Sequence, residues 1–167
     1  MKSKKHIICI AAGIVLIVGA FFIGQYSHKF GVKKTSKPQK HPLIDMPVSK
    51  TLLPTLASFS ADSTYAVCIF SYTCGSCLNY MENLKHYEGS PNIDKVMAFA
   101  AGTDTNNEFT NFFNPNFEIK DVSYDTLIKL IDVVPSILYI KNDTIKYVIR
   151  GTIPSIYNLN KFYFTNN

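Results

Sequence analysis

The sequence predicts an α/β domain, a central mixed β-sheet flanked by helices, preceded by one N-terminal transmembrane helix. Three observations carry this. Tyr65 to Tyr72 is short, almost free of charge and rich in β-branched and aromatic residues, as a strand covered on both faces reads. It runs into Cys74-Gly75-Ser76-Cys77 and then a helical pattern. At the other end of the chain, Ile7 to Ile23 is an unbroken apolar and small-residue run behind a basic start.

Composition sets the frame. With 167 residues, 47% hydrophobic, 17% charged and a net charge of +5, the chain has material for one modest globular domain plus an additional segment. The sequence divides into a basic tail (1–6), a transmembrane signal anchor (7–24), a basic flexible linker (25–48) and a folded domain (49–167). A helix of roughly 17 to 25 residues crosses a bilayer core, whereas a cleaved signal carries an apolar region of about 7 to 15. Cleavage after Val18-Gly19-Ala20 is the rival, but the apolar run continues through Phe21, Phe22 and Ile23 and favours an uncleaved anchor. Cys9 lies near the start of this run, where a lipid-bearing cysteine does not belong, and reads as an ordinary membrane residue.

The linker contains Lys29, Lys33, Lys34, Lys37 and Lys40 with Pro38 and Pro42, and reads as a solvated spacer. Those lysines outnumber Lys2, Lys4 and Lys5, so charge counting alone keeps the domain cytoplasmic. A very short basic tail before a long apolar span is nevertheless the usual form of an export signal. The expected location is therefore the membrane, single-pass, with the C-terminal domain on the extracytoplasmic side.

Within the domain, Ser49 to Asp62 predicts a short helix started near Pro54. After the first strand, Leu78, Met81, Leu84 and Lys85 recur at helical spacing, so a helix begins near Cys74. Gly89-Ser90-Pro91-Asn92 is a turn, and Asp94 to Ala101 a second buried strand. The polar Gly102 to Asn116 segment places Phe109, Phe112 and Phe113 at helical spacing, which predicts a short helix with those rings in the core. Phe117 to Val122 suits a strand, and Tyr124 to Asp132 a helix with Leu127, Ile128, Leu130 and Ile131 inward. Pro135 ends that helix. Ser136 to Ile140 and Thr144 to Arg150 form a hairpin about Asn142-Asp143, and Ser155 to Phe164 a closing helix with Ile156, Leu159 and Phe162 inward.

The chemistry is concentrated in Cys74-Gly75-Ser76-Cys77. The first N–H groups of a helix lack partners and carry the positive end of its dipole, so a cysteine there is stabilised as a thiolate. Cys74 is the candidate nucleophile, and Cys77, one turn on, the candidate resolver of a mixed disulfide. Gly75 keeps the turn unhindered. A bare CxxC is also compatible with half of a zinc site or with two unrelated buried cysteines; its place between an apolar strand and an amphipathic helix favours redox use.

Strand, CxxC, helix, strand, helix, proline, hairpin and last helix is an order that resembles the thioredoxin-like superfamily over about residues 51 to 167, and is most similar to its membrane-tethered, exported thiol-disulfide oxidoreductases. The resemblance implies Cys74 as nucleophile, Cys77 as resolver, and a cis proline at Pro135 that leaves the backbone of Val134 free to pair with a substrate segment. It implies a redox-active disulfide with no other cofactor, protein thiols or disulfides as substrates, and a membrane electron-transfer partner for a reductant. The interval from Cys77 to Pro135 matches relatives with an inserted strand and helix, with Gly102 to Val122 as the insert. The chain departs from the family pattern at three places: Thr73 replaces the usual tryptophan before the motif, Ser76 the common proline within it, and Cys68 the buried acid six residues upstream.

Competing functions have less support. Cys68, in a central apolar strand, reads as inert packing. His86 lies more than two turns beyond Cys77 without an evident fourth ligand for structural zinc, so no metal site is assigned. A copper chaperone of similar fold needs a histidine well downstream, and none follows His86. Nucleic-acid binding is not expected, because the positive charge is concentrated in the tail and linker. A non-catalytic binding module with a static disulfide is the principal alternative.

Overall fold

The computed structural model describes residues 40–164. The expected basic tail (1–6), the span at 7–24 and the linker up to residue 39 lie outside the described residues. No helix among the described residues is long and apolar enough to cross a membrane.

Strand β1 (Tyr65–Ser71) is buried along all but its last residue, and its alternation divides the core in two. Ala66, Cys68 and Phe70 face one layer, and Tyr65, Val67 and Ile69 the other. Each face needs its own cover, which is why helices lie on both sides of the sheet. On the first face sit Cys77, Met81 and Leu84 of α2 (Gly75–Lys85), Phe113 of α3 (Glu108–Phe113) and Leu159 of α5 (Ile156–Leu159). On the second face sit Leu53 of α1 (Leu53–Leu56), with Pro54 in its first turn as the sequence predicts, and Leu127 of α4 (Tyr124–Leu127) with Leu130 and Ile131 beyond it.

The sheet has five strands in the order β3-β2-β1-β4-β5. β2 (Lys95–Ala101) lies parallel to β1, and β3 (Glu118–Val122) parallel to β2. β4 (Ser136–Lys141) pairs antiparallel with β1, and β5 (Thr144–Arg150) antiparallel with β4. The β4–β5 turn is Asn142-Asp143, with φ of 52° and 53°, the left-handed pair that a two-residue hairpin loop requires. The mixed sheet is therefore as predicted. The inserted segment supplies α3 and the edge strand β3, and Asn106, Asn107 and Asn114, all with positive φ, bend the chain into and out of α3.

Several expectations are corrected. β1 ends at Ser71, so Tyr72 belongs to the following turn. β2 begins at Lys95 rather than Asp94, and β3 at Glu118 rather than Phe117. The helix expected over Tyr124–Asp132 is α-helical only to Leu127, although a hydrogen bond from Ile131 N to Leu127 O carries the turn onward. Leu78, Phe112, Ile128 and Phe162 were expected inward and are exposed, Phe112 by 92%. Three of them stand one residue off the inward stripe of their segment, which runs Cys77–Met81–Leu84, Phe109–Phe113 and Leu127–Leu130–Ile131 respectively. Phe162 differs because Asn160–Phe164 winds as a π-helix, whose wider turn brings Tyr163 and Phe164 to the core instead.

Candidate active site

The carboxyl ends of the three parallel strands are level, since Ser71 is in register with Ala101 and Ala101 with Val122. Strand order reverses about β1, with β2 added on one side and β4 on the other. In open α/β sheets the crevice at such a switch point is where ligands bind, because the loops there diverge. Two segments meet at it. The chain leaves β1 through Tyr72 and Thr73 to Cys74, and it enters β4 through Val134 and Pro135, directly before the paired residues Ser136 and Ile69.

Cys74 is the N-cap of α2, with extended backbone (φ −90°, ψ 101°). Its Sγ accepts a hydrogen bond of 3.2 Å from Cys77 N, so one of the helix's unpaired donors points at the sulfur. Ser76 Oγ is also 3.2 Å from Cys74 Sγ. Cys74 and Cys77 form a disulfide, with Cα atoms 5.2 Å apart. The two sulfurs are in different environments: Cys77 is fully buried against Met81 and Ala66, while Cys74 is half-buried at the rim. Attack from outside can thus reach Cys74 and not Cys77.

The Val134-Pro135 bond is cis. Pro135 is buried, its carbonyl accepts 2.7 Å from Gly151 N, and Val133 O accepts 2.6 Å from Ser136 Oγ. Val134 is half-buried and touches both core layers. Gly75 opens α2 outside the left-handed region, and a Cβ there would meet nothing within 4 Å. Neither backbone nor space therefore requires glycine at 75, which corrects the steric reason given for it above. Thr73 is exposed, and its Oγ1 lies 3.0 Å from Ser71 Oγ.

Cys68 is fully buried, and burial pushes its thiol well above the ordinary value. His86 caps the far end of α2 with the whole helix between it and Cys74. Two features were not anticipated. Tyr72 donates a 2.7 Å hydrogen bond to Asp121, and a groove of about 420 Å³ opens beside Thr73, between the motif and α3. The exposed aromatic residue Phe112 was the available signal for the groove, but helical spacing alone assigned it to the core.

An oxidised cysteine pair at the start of the helix after a central strand, with a cis proline entering the neighbouring antiparallel strand, defines a thioredoxin-like fold. The solved structures that share it include a DsbF homologue from Corynebacterium diphtheriae (TM-score 0.52, 11% identity, covering 78% of this chain and 89% of that one). A thiol:disulfide interchange protein of the thioredoxin family from Chlorobium tepidum has a TM-score of 0.51 at 11% identity, covering 78% of this chain and 98% of its own. StoA from Bacillus subtilis has a TM-score of 0.51 at 14% identity, covering 59% and 81%. No protein-family model and no curated protein sequence matches the chain.

Proposed function

We propose that this chain is a membrane-anchored thiol-disulfide oxidoreductase that exchanges disulfides with protein thiols. The observation that carries the reading is the asymmetry of the pair: Cys74 at the rim, facing Cys77 N–H and the Ser76 hydroxyl, and Cys77 buried behind it. In the reducing direction the Cys74 thiolate attacks a substrate disulfide, forms a mixed disulfide and expels one substrate thiolate. Cys77 loses its proton to solvent and attacks Cys74 Sγ, which re-forms Cys74–Cys77 and expels the second substrate thiolate. The substrate gains two electrons and the protein pair loses two. The oxidising direction is the same sequence reversed. Val134, presented at the cis-proline turn, is the backbone against which the substrate segment docks.

Two solved structures of similar fold are described as a thiol:disulfide interchange protein and a secreted thiol-disulfide isomerase, which supports the same chemistry here. The anchor reading rests on residues 7–24, and the outward orientation on the short basic tail before them. A reductant of this kind takes its electrons from a membrane partner.

The test is reduction of insulin by the full-length chain, with a thiol donor as electron source, beside Cys74→Ser and Cys77→Ser. Turnover by the native chain, none by Cys74→Ser, and mixed disulfides accumulating on Cys77→Ser are expected. A native chain that never turns over favours the static binding module.

A further inference from the structure

The groove beside the redox motif has a floor of Leu78, Phe109, Phe112 and Phe113, and Thr73, the residue next to Cys74, also lines it. Phe112 is 92% exposed and Leu78 42%, a pair of large apolar side chains left in water beside the reactive sulfur. Isolated exposed apolar residues are common, whereas a concave set at a reaction site marks a surface that is covered during function. The floor is held from behind. Phe109 stacks on Phe113 at 5.2 Å and meets Phe70 and Tyr72 edge-on or tilted, so the groove does not close by collapse.

Its charge has one sign. Asp104 and Glu108 line the wall, and no lysine, arginine or histidine is among the lining residues. Asp104 is fixed, because its two carboxylate oxygens accept 2.8 Å hydrogen bonds from Phe109 N and Thr110 N. Burial acts to raise its pKa, but these hydrogen bonds outweigh that and hold it below the ordinary carboxylate value, so it is ionised at neutral pH. Lys85, whose ammonium lies 4.0 Å from the centre of the Phe113 ring, is paired with Glu82 and leaves the wall acids unneutralised.

We propose that this groove seats the extended segment flanking the exchanging cysteine of a protein substrate, and that it selects an apolar side chain adjacent to a lysine or arginine. The inference rests on the exchange reading for its occupant, since continuity with Cys74 is what brings a substrate chain to it. The apolar side chain covers Phe112 and Leu78, and the cation is placed between Glu108 and Asp104.

The experiment measures binding without cysteine chemistry. Fluorescein-labelled peptides of about ten residues, with serine in place of the exchanging cysteine and either Leu-Lys or Leu-Glu beside it, are titrated with the oxidised full-length chain and followed by anisotropy. The Leu-Lys peptide is expected to bind about tenfold more tightly than Leu-Glu. Phe112→Ala weakens it at least about fivefold, since a ring that is already exposed can be removed without opening the core. Glu108→Gln narrows the difference between the two peptides. Tyr157→Ala, an exposed aromatic of α5, leaves both affinities unchanged. Equal affinity for the two peptides, or indifference to Phe112→Ala, overturns the proposal. So does a concentration-dependent dimer that disappears in Phe112→Ala, which would make a second copy the occupant. Exchange of the reduced chain with 4,4′-dithiodipyridine, a small neutral disulfide, is read separately. Silence there removes the exchange reading, while the anisotropy still decides the groove.

Discussion

The hydroxyl of Tyr72 donates a 2.7 Å hydrogen bond to Oδ1 of Asp121, tying the first residue of the redox loop to the edge strand β3. The contact exists because β1, β2 and β3 end level, which brings residues 49 positions apart to the same edge of the sheet. Burial and the facing carboxylate both push the tyrosine pKa up, so the hydroxyl stays a donor across the physiological range. Tyr72→Phe keeps the ring contacts with Phe70 and Phe109 and removes only this hydrogen bond. With Asp121 exposed and free to turn to water, the expected loss of stability is about 0.5–1.5 kcal/mol, read as a lower urea midpoint at unchanged slope.

Ser76 is the one side-chain hydroxyl within hydrogen-bond distance of Cys74 Sγ among the described residues. A hydroxyl donor stabilises a thiolate more than a thiol, because a hydrogen bond to an ionised acceptor is the stronger one. Ser76→Ala is therefore expected to raise the Cys74 thiol pKa while leaving the Cys77 N–H contact in place. Thiolate absorbance near 240 nm in the reduced chain, followed from acid to neutral pH, gives the shift directly. Alkylation by iodoacetamide at low pH should slow by about two- to fivefold. An unchanged titration would mean that the helix start alone sets the acidity.

The central strand, the motif and α2 were legible because three signals coincide there: a charge-free apolar run, an abrupt CxxC and a change to helical period. Burial of Cys68, Phe70, Met81 and Leu84 follows from that pattern. Errors arose where a helix is too short for its period to fix which side faces in. Phe112 and Ile128 are each one residue from a buried neighbour, and such a step turns a side chain by about 100° around a helix. Phe162 was illegible because composition does not announce a π-helix. Asp104 was missed for a related reason: the left-handed Asn106 and Asn107 let it bond to N–H groups five and six residues ahead, beyond the reach of an ordinary N-cap. The groove itself depends on strand register, which no local pattern encodes.

Gly151 closes the back of the cis-proline turn, donating its N–H to Pro135 O at 2.7 Å with φ of 74°. A Cβ at this position would stand 3.8 Å from Val133 Cγ1, an ordinary contact, so space does not forbid alanine. The backbone does. Gly151→Ala is expected to destabilise the chain by about 1–2 kcal/mol, the cost of the left-handed region for a residue with a Cβ. Gly151→Asn should cost less, because asparagine tolerates that conformation. Urea denaturation of the two variants separates this account from a packing clash, which would make the larger asparagine the worse of the two.

Cys68 gives the chain a specific sensitivity to alkali. Its thiol is fully buried, and desolvation raises its pKa above the ordinary value of 9.0. A group whose folded pKa is raised contributes stability that is intact below its unfolded pKa and is lost as pH rises beyond it, since the unfolded chain then releases a proton that the native chain retains. Below about pH 9 Cys68 therefore takes nothing from stability, and above it the loss approaches about 1.4 kcal/mol per pH unit. Tyr87 and Tyr139 are raised by burial in the same sense, but their ordinary value of 10.0 places their contribution later. The measurement is the urea midpoint of the oxidised chain and of Cys68→Ala at closely spaced pH values across pH 8–10. Oxidation keeps Cys74 and Cys77 from titrating, and comparison with Cys68→Ala cancels the groups that Cys68 does not influence; Tyr87, whose pKa burial and then Cys68 raise, titrates later. The alanine variant should start less stable, for the lost packing of the sulfur, and then lose stability more slowly than the native chain above pH 9. Parallel curves would show that the thiol ionises in the folded protein, which would require Cys68 to be open to solvent and to react with maleimide without unfolding.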